Sequence, residues 1–198
     1  AGEQGPTLLA AIKAAGVATA ASACKGELVI RAQASEAKET LQFVDAVTGD
    51  DRAIEVPWRS ALALKVQSSR PRPCGYWLST NQTEAVGKLL TLGVQVQRLT
   101  SEQKVAVERY RVVEEKGGQR QDARGTIAAT QAIRELTLVT QRLEKALPAG
   151  SWYVPMNQAL GAIAAAALEP DSQSSYGANH VMGIDESSLM RVLQPLAR

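Results

Sequence analysis

The period of the apolar residues changes sharply at Glu27, and that change constrains the fold more than any other feature. Leu28 and Ile30 are followed by Leu41, Phe43 and Val47, and then by Ile54 and Val56 beyond Thr48-Gly49-Asp50-Asp51. Alternation at every second position is the signature of a half-buried strand, so the stretch predicts a β-hairpin. Asp50 and Asp51 are read as turn residues, chosen with Gly49 for backbone geometry, and not as paired carboxylates for acid–base chemistry. Before Glu27 the spacing is helical: Leu8, Ile12, Ala15 and Thr19 share one face between Thr7 and Ala23.

Further on, Gly75-Tyr76-Trp77-Leu78, a helix bearing Val86, Leu89 and Leu90, and a strand from Val94 to Leu99 predict a β-α-β unit. Asn81 and Glu84 stand at capping-box spacing, a sufficient reading of Asn81-Gln82-Thr83, which also matches a glycosylation sequon. Gly93 is placed to end the helix in the left-handed conformation. No glycine-rich phosphate loop accompanies the unit.

Val105, Val107, Tyr110 and Val112 predict an extended segment with a bulge between Val107 and Tyr110, where the parity changes. Ile133 to Val139 is read as a strand, Trp152-Tyr153-Val154 as another, and Gln158 to Leu168 as a small-residue helix packed on this chain's own sheet and anchored by Trp152. After Pro170 the chain is expected to loosen. The fold class is therefore α+β, a mainly antiparallel sheet with a β-α-β insert and two alanine-rich helices. At 198 residues the chain suits one core. The expected division is a helical segment over 1–25, readable as the tail of an upstream catalytic domain, and a single α+β domain over 26–198.

Composition removes several functions. Twenty-two basic against twenty acidic residues give a mixed surface with no footprint for nucleic acid. No apolar run is long enough to span a membrane. The single histidine, His180, cannot build the two- or three-histidine site of a zinc hydrolase. Asp185, Ser187 and Ser188 lie near it in sequence, but no nucleophile elbow is present, and His180 is read as a surface or interface residue. Cys24 and Cys74 are expected to be two buried free thiols, a disulfide requiring an oxidising compartment and a fold that joins them. Among the arginines at 70, 72, 109, 111, 120 and 124, Arg70, Arg72, Arg120 and Arg124 are the candidates for binding an anion or carboxylate, against the plainer reading of solvated strand faces.

Arg70-Pro71-Arg72-Pro73, Gly75-Tyr76-Trp77-Leu78, Leu92-Gly93-Val94, Tyr110-Arg111-Val112, Arg120 to Gly125, Pro148-Ala149-Gly150-Ser151, and Leu168-Glu169-Pro170-Asp171 through Tyr176 occur in an order that looks familiar. Together they resemble the region after the catalytic domain of bacterial secreted zinc carboxypeptidase-like proteins, the carboxypeptidase A-type metallopeptidases. The resemblance runs from about Leu28 to the C-terminus. The family's His-x-x-Glu zinc pair, later histidine and general-base glutamate have no counterpart, since His180-Val181-Met182-Gly183 does not fit. Cys74 stands where the family more often has another residue.

The resemblance implies a non-catalytic C-terminal accessory domain of a secreted or periplasmic peptidase. Zinc is then expected in the upstream domain and no cofactor in this chain. The upstream peptidase domain would be the partner, cradling the Thr7 to Ala23 helix, which could otherwise be borrowed by a second copy in a homodimer. The opening Ala1-Gly2-Glu3 accords with a chain excised from a longer protein. A stand-alone extracytoplasmic module recognising a peptide or cell-wall fragment is the alternative.

Overall fold

The computed structural model describes residues 4–119, 121–122, 125–126 and 132–196, with the side chains of 34–36, 59–62, 121–122 and 125–126 left undescribed. The fold is α+β with a mainly antiparallel sheet. In chain order the elements are α1 (Gly5–Ala21), β1 (Glu27–Val44), β2 (Asp51–Pro71), β3 (Gly75–Leu78), α2 (Thr83–Thr91), β4 (Gln97–Arg98) and β5 (Gln103–Gly118). They continue with β6 (Gln121–Asp122), β7 (Gly125–Thr126), β8 (Ile133–Leu147), β9 (Trp152–Pro155), α3 (Gly161–Leu168) and β10 (Leu189–Val192).

Six strands form the main sheet in the order β4-β9-β3-β10-β5-β8, every neighbouring pair antiparallel. The β-α-β reading holds for the order of elements but not for adjacency. β3 and β4 both pair with β9, which lies between them, because Trp152–Pro155 returns to fill the gap. At Gly75 the two backbones come close: a Cβ there would lie 2.3 Å from the Tyr153 ring. The Tyr153 hydroxyl donates to the Cys74 carbonyl at 3.1 Å, which holds that ring in place.

Both faces of the sheet are covered, which corrects the expected bulge between Val107 and Tyr110. Val107 joins Trp77, Met190, Val105 and Leu147 on one side, while Tyr110 joins Tyr76, Leu78, Leu168 and Leu189 on the other. The parity change is a strand buried on alternate faces in turn, and the real register shift falls later, between Val112 and Glu114.

The predicted capping box is also absent. The α2 N-cap is Gln82, with no side-chain cap, and Asn81 instead accepts from the Ser79 hydroxyl at 2.5 Å. Gly93 does take the left-handed conformation, at φ +81°.

The segment after Pro170 is not loose. The Ser175 hydroxyl donates to the Pro170 carbonyl and accepts from the Ala178 amide, both at 2.9 Å, and Ala178 and Ile184 are buried. It leads into β10, a fully buried strand near the centre of the sheet that the sequence reading did not identify.

Cys24 and Cys74 form a disulfide, correcting the expectation of free thiols. Cys24 precedes β1 and Cys74 follows β2, so the bond closes the stem of a long two-stranded ribbon. Its tip is the predicted turn: Asp45 accepts the amides of Val47 and Thr48 at 2.9 and 3.2 Å, and the backbone reverses through Gly49.

The two alanine-rich helices behave differently. α3 buries Ala164, Ala165, Ala167 and Leu168 on its own sheet, with Trp152 packed against the same core. α1 buries no residue. Gly16 lets it approach Ala159 closely, a Cβ there lying 3.0 Å from the Ala159 Cβ, while its first turns overhang the body.

Candidate functional site

The most concentrated chemistry lies where the end of β2, the sheet and the segment after α3 meet. Glu169, 1% exposed, leaves α3 directly into the space over β3, β10 and β5. Cross-strand register sets Tyr76, Arg191 and Glu108 in one row across those strands, with Tyr110 two residues beyond Glu108 on the same face. One Glu169 oxygen accepts from the Tyr76 hydroxyl at 2.8 Å and from Arg191 Nε at 3.1 Å. The other accepts from Arg70 at 2.8 Å and from the Tyr110 hydroxyl at 3.1 Å.

Arg70 also forks onto Asp171, at 3.1 and 2.5 Å. Arg191, itself 1% exposed, spends its two terminal nitrogens on Glu108 and the Pro71 carbonyl. Every acceptor site of Glu169 is engaged by a protein donor. The carboxylate is thus a structural acceptor and leaves no lone pair facing a substrate.

The electrostatics follow from this geometry. Burial alone would pull the Arg70 guanidinium down, but Glu169 and Asp171 hold it above its ordinary value. Arg191 is likewise opposed by burial and held up by Tyr110, Glu169 and Tyr76. Burial, reinforced by Glu169, pushes Tyr76 and Tyr110 well above the usual phenol range. Burial also raises Tyr153 to about 12, and raises Tyr176.

These four are all the tyrosines of the chain. A raised phenol holds in the fold a proton that the unfolded chain releases near pH ~10, so this stabilisation is complete below that pH and is lost as pH rises through the folded values. Phenolate absorbance is therefore expected to stay low through pH ~10 and to appear together with the loss of circular dichroism. Four tyrosines titrating near their free value in an intact fold would contradict this.

Of the four arginines proposed for ligand binding, Arg70 is committed to Glu169 and Asp171, and Arg72 donates to the Glu27 carbonyl at 3.1 Å. Arg120 and Arg124 lie outside the described residues. His180 is exposed in a turn at φ 60°. Among the described residues no group of three or more His, Cys, Asp or Glu side chains is arranged to hold a metal ion, and no helix is long and apolar enough to cross a membrane.

The sequence reading did not pick out Glu169 and Arg191. The available signal for Arg191 was a lone charge inside Leu189-Met190-Arg191-Val192, a run that otherwise reads as core.

A second locked contact lies on the opposite side of the sheet. Trp77 Nε1 donates to the Ser151 hydroxyl at 2.7 Å, and Ser151 donates to the Pro148 carbonyl at 2.5 Å, fixing the Pro148–Ser151 turn. Five of the strings that carry the resemblance thus meet in space: Arg70, Tyr76 and Tyr110 with Glu169, Arg70 with Asp171, and Trp77 with Ser151. No protein family, no curated protein and no solved structure matches the chain.

The remaining surface of interest is apolar. On α1, Leu8, Leu9 and Ile12 are 62%, 52% and 59% exposed and fall on the same side of the helix as the half-buried Gly16 and Thr19, of which Gly16 lies against Ala159. The stripe that docks at one end runs off the edge at the other.

Proposed function

We propose that this chain is the non-catalytic C-terminal accessory domain of a zinc carboxypeptidase-like peptidase, docked on an upstream peptidase domain through α1. The observation that carries the docking is the overhanging stripe of Leu8, Leu9 and Ile12, a half-seated apolar face that a larger neighbour would complete. The strings support a non-catalytic role through their described members, because Arg70, Tyr76, Tyr110, Glu169 and Asp171 are spent on one buried junction and Trp77 on the Ser151 hydroxyl. The Cys24–Cys74 disulfide supports a secreted or periplasmic setting, where such bonds persist. Zinc chemistry would belong to the upstream domain.

The experiment is elemental analysis and a peptidase assay on the purified 198-residue chain. The expected result is zinc far below one equivalent and no release of C-terminal residues from peptides. Stoichiometric zinc with hydrolysis would overturn the reading. The second reading, a stand-alone peptide- or cell-wall-binding module, draws on β8, the last strand of the sheet among the described residues, whose edge beyond Arg134 suits addition of an extended peptide.

A further inference from the structure

The β1–β2 ribbon is amphipathic. Directly opposed residues of an antiparallel pair share a face, and the register sets Phe43 beside Arg52, Leu41 beside Ile54, Glu39 beside Val56 and Ala37 beside Trp58. The reverse face carries Val44 and Asp51 at its tip end, then Gln42 beside Ala53, Thr40 beside Glu55 and Lys38 beside Pro57, with Lys38 and Glu55 in an ion pair at 2.7 Å, so over these rows it is the more polar of the two. Phe43, Ile54 and Trp58 remain 40–44% exposed, and the two strands make their extensive contacts with each other. An isolated two-stranded ribbon is marginal in water and gains independent stability from a layer over its apolar face.

We propose that this layer is the same ribbon of a second copy, packed face to face about a two-fold axis that crosses the strands. Such an axis lays each strand on its own counterpart with the rows reversed. Phe43, at the tip, then faces Ala37, so the large ring meets the smallest side chain of the face. Arg52 lies over Trp58, the best aromatic partner for a guanidinium. Ile54 faces Val56, and Leu41 covers the stem of Glu39, whose carboxylate reaches water at the rim. Each contact occurs twice. The reversed rows also carry the two globular bodies to opposite ends, so they do not collide.

The four rows span only about 20 Å, which makes this a small interface assembling at tens of micromolar or above. The inference does not rest on the accessory-domain reading, since a zinc-binding hydrolase could equally pair through this ribbon.

Sedimentation of the full chain from ~5 to ~500 μM is expected to pass from monomer to dimer over that range. Trp58→Glu, which changes an exposed position, is expected to weaken association about thirtyfold or more with unchanged circular dichroism. Thr40→Glu, on the reverse face, should leave association intact. Mixing an Ile54→Cys chain with a Val56→Cys chain under mild oxidation is expected to give the mixed disulfide. Monomer throughout, a dimer indifferent to Trp58→Glu, or a dimer without the mixed disulfide would each overturn the proposal.

Discussion

Replacing Glu169 with alanine is expected to destabilise the fold by about 3–5 kcal/mol, the usual cost of leaving buried charges without their partner. The reason is the number of groups the carboxylate serves. Arg191 and Arg70 would lose a counter-charge, and the Tyr76 and Tyr110 hydroxyls would lose their acceptor in a site closed to water. Against a total stability of about 5–15 kcal/mol this is a large fraction. Glu169→Gln should not rescue the fold. Both oxygens accept from two donors each, so an amide nitrogen at either position would face donors. Thermal unfolding followed by circular dichroism checks the expectation: a midpoint lowered by roughly 10 °C for either variant agrees, and a midpoint unchanged by Glu169→Gln would show that the charge is not what the junction uses.

Opening the disulfide is expected to have an effect of similar size. Cys24 and Cys74 are 50 residues apart, and the loop they close contains the whole β1–β2 ribbon. The chain-entropy account of a loop of this length gives about 4 kcal/mol, from freedom restored to the unfolded chain. The folded state is affected locally as well, since the bond ties the end of α1 to the start of β3. Urea unfolding of Cys24→Ser/Cys74→Ser should show the lower midpoint with a steeper slope, because the unfolded chain without the cross-link is less compact. A midpoint equal to that of the parent chain would mean that the unfolded chain gains no freedom from the loss.

Local patterns were legible in the sequence, and long-range closures were not. The Leu28–Val56 alternation identified the ribbon because a two-stranded arm is specified by its own period and turn. The α2 region was legible for the same reason, through Val86, Leu89 and Gly93. β10 escaped because Leu189-Met190-Arg191-Val192 is four residues with no alternation, and only the gap between β3 and β5 makes it a strand. The bulge assigned near Tyr110 came from assuming one buried face where the sheet has two. Glu169 stood only as the residue after the last helix, because nothing adjacent announces partners drawn from Arg70, Tyr76, Tyr110 and Arg191. The fate of α3 on its own sheet and the sparse seating of α1 were both implied by alanine: small faces stabilise only by close approach to a broad neighbour.

The central claim is that α1 presents a surface belonging to an upstream partner, and its most direct test is hydrogen exchange on the 198-residue chain at a dilution where it is monomeric. Amides from Leu9 to Ala20 are expected to exchange orders of magnitude faster than those of β3, β5 and β10, because the helix has no buried residue to hold it against local opening. Protection across Leu9–Ala20 equal to that of the central strands would show that α1 is complete without a partner, and would contradict the account.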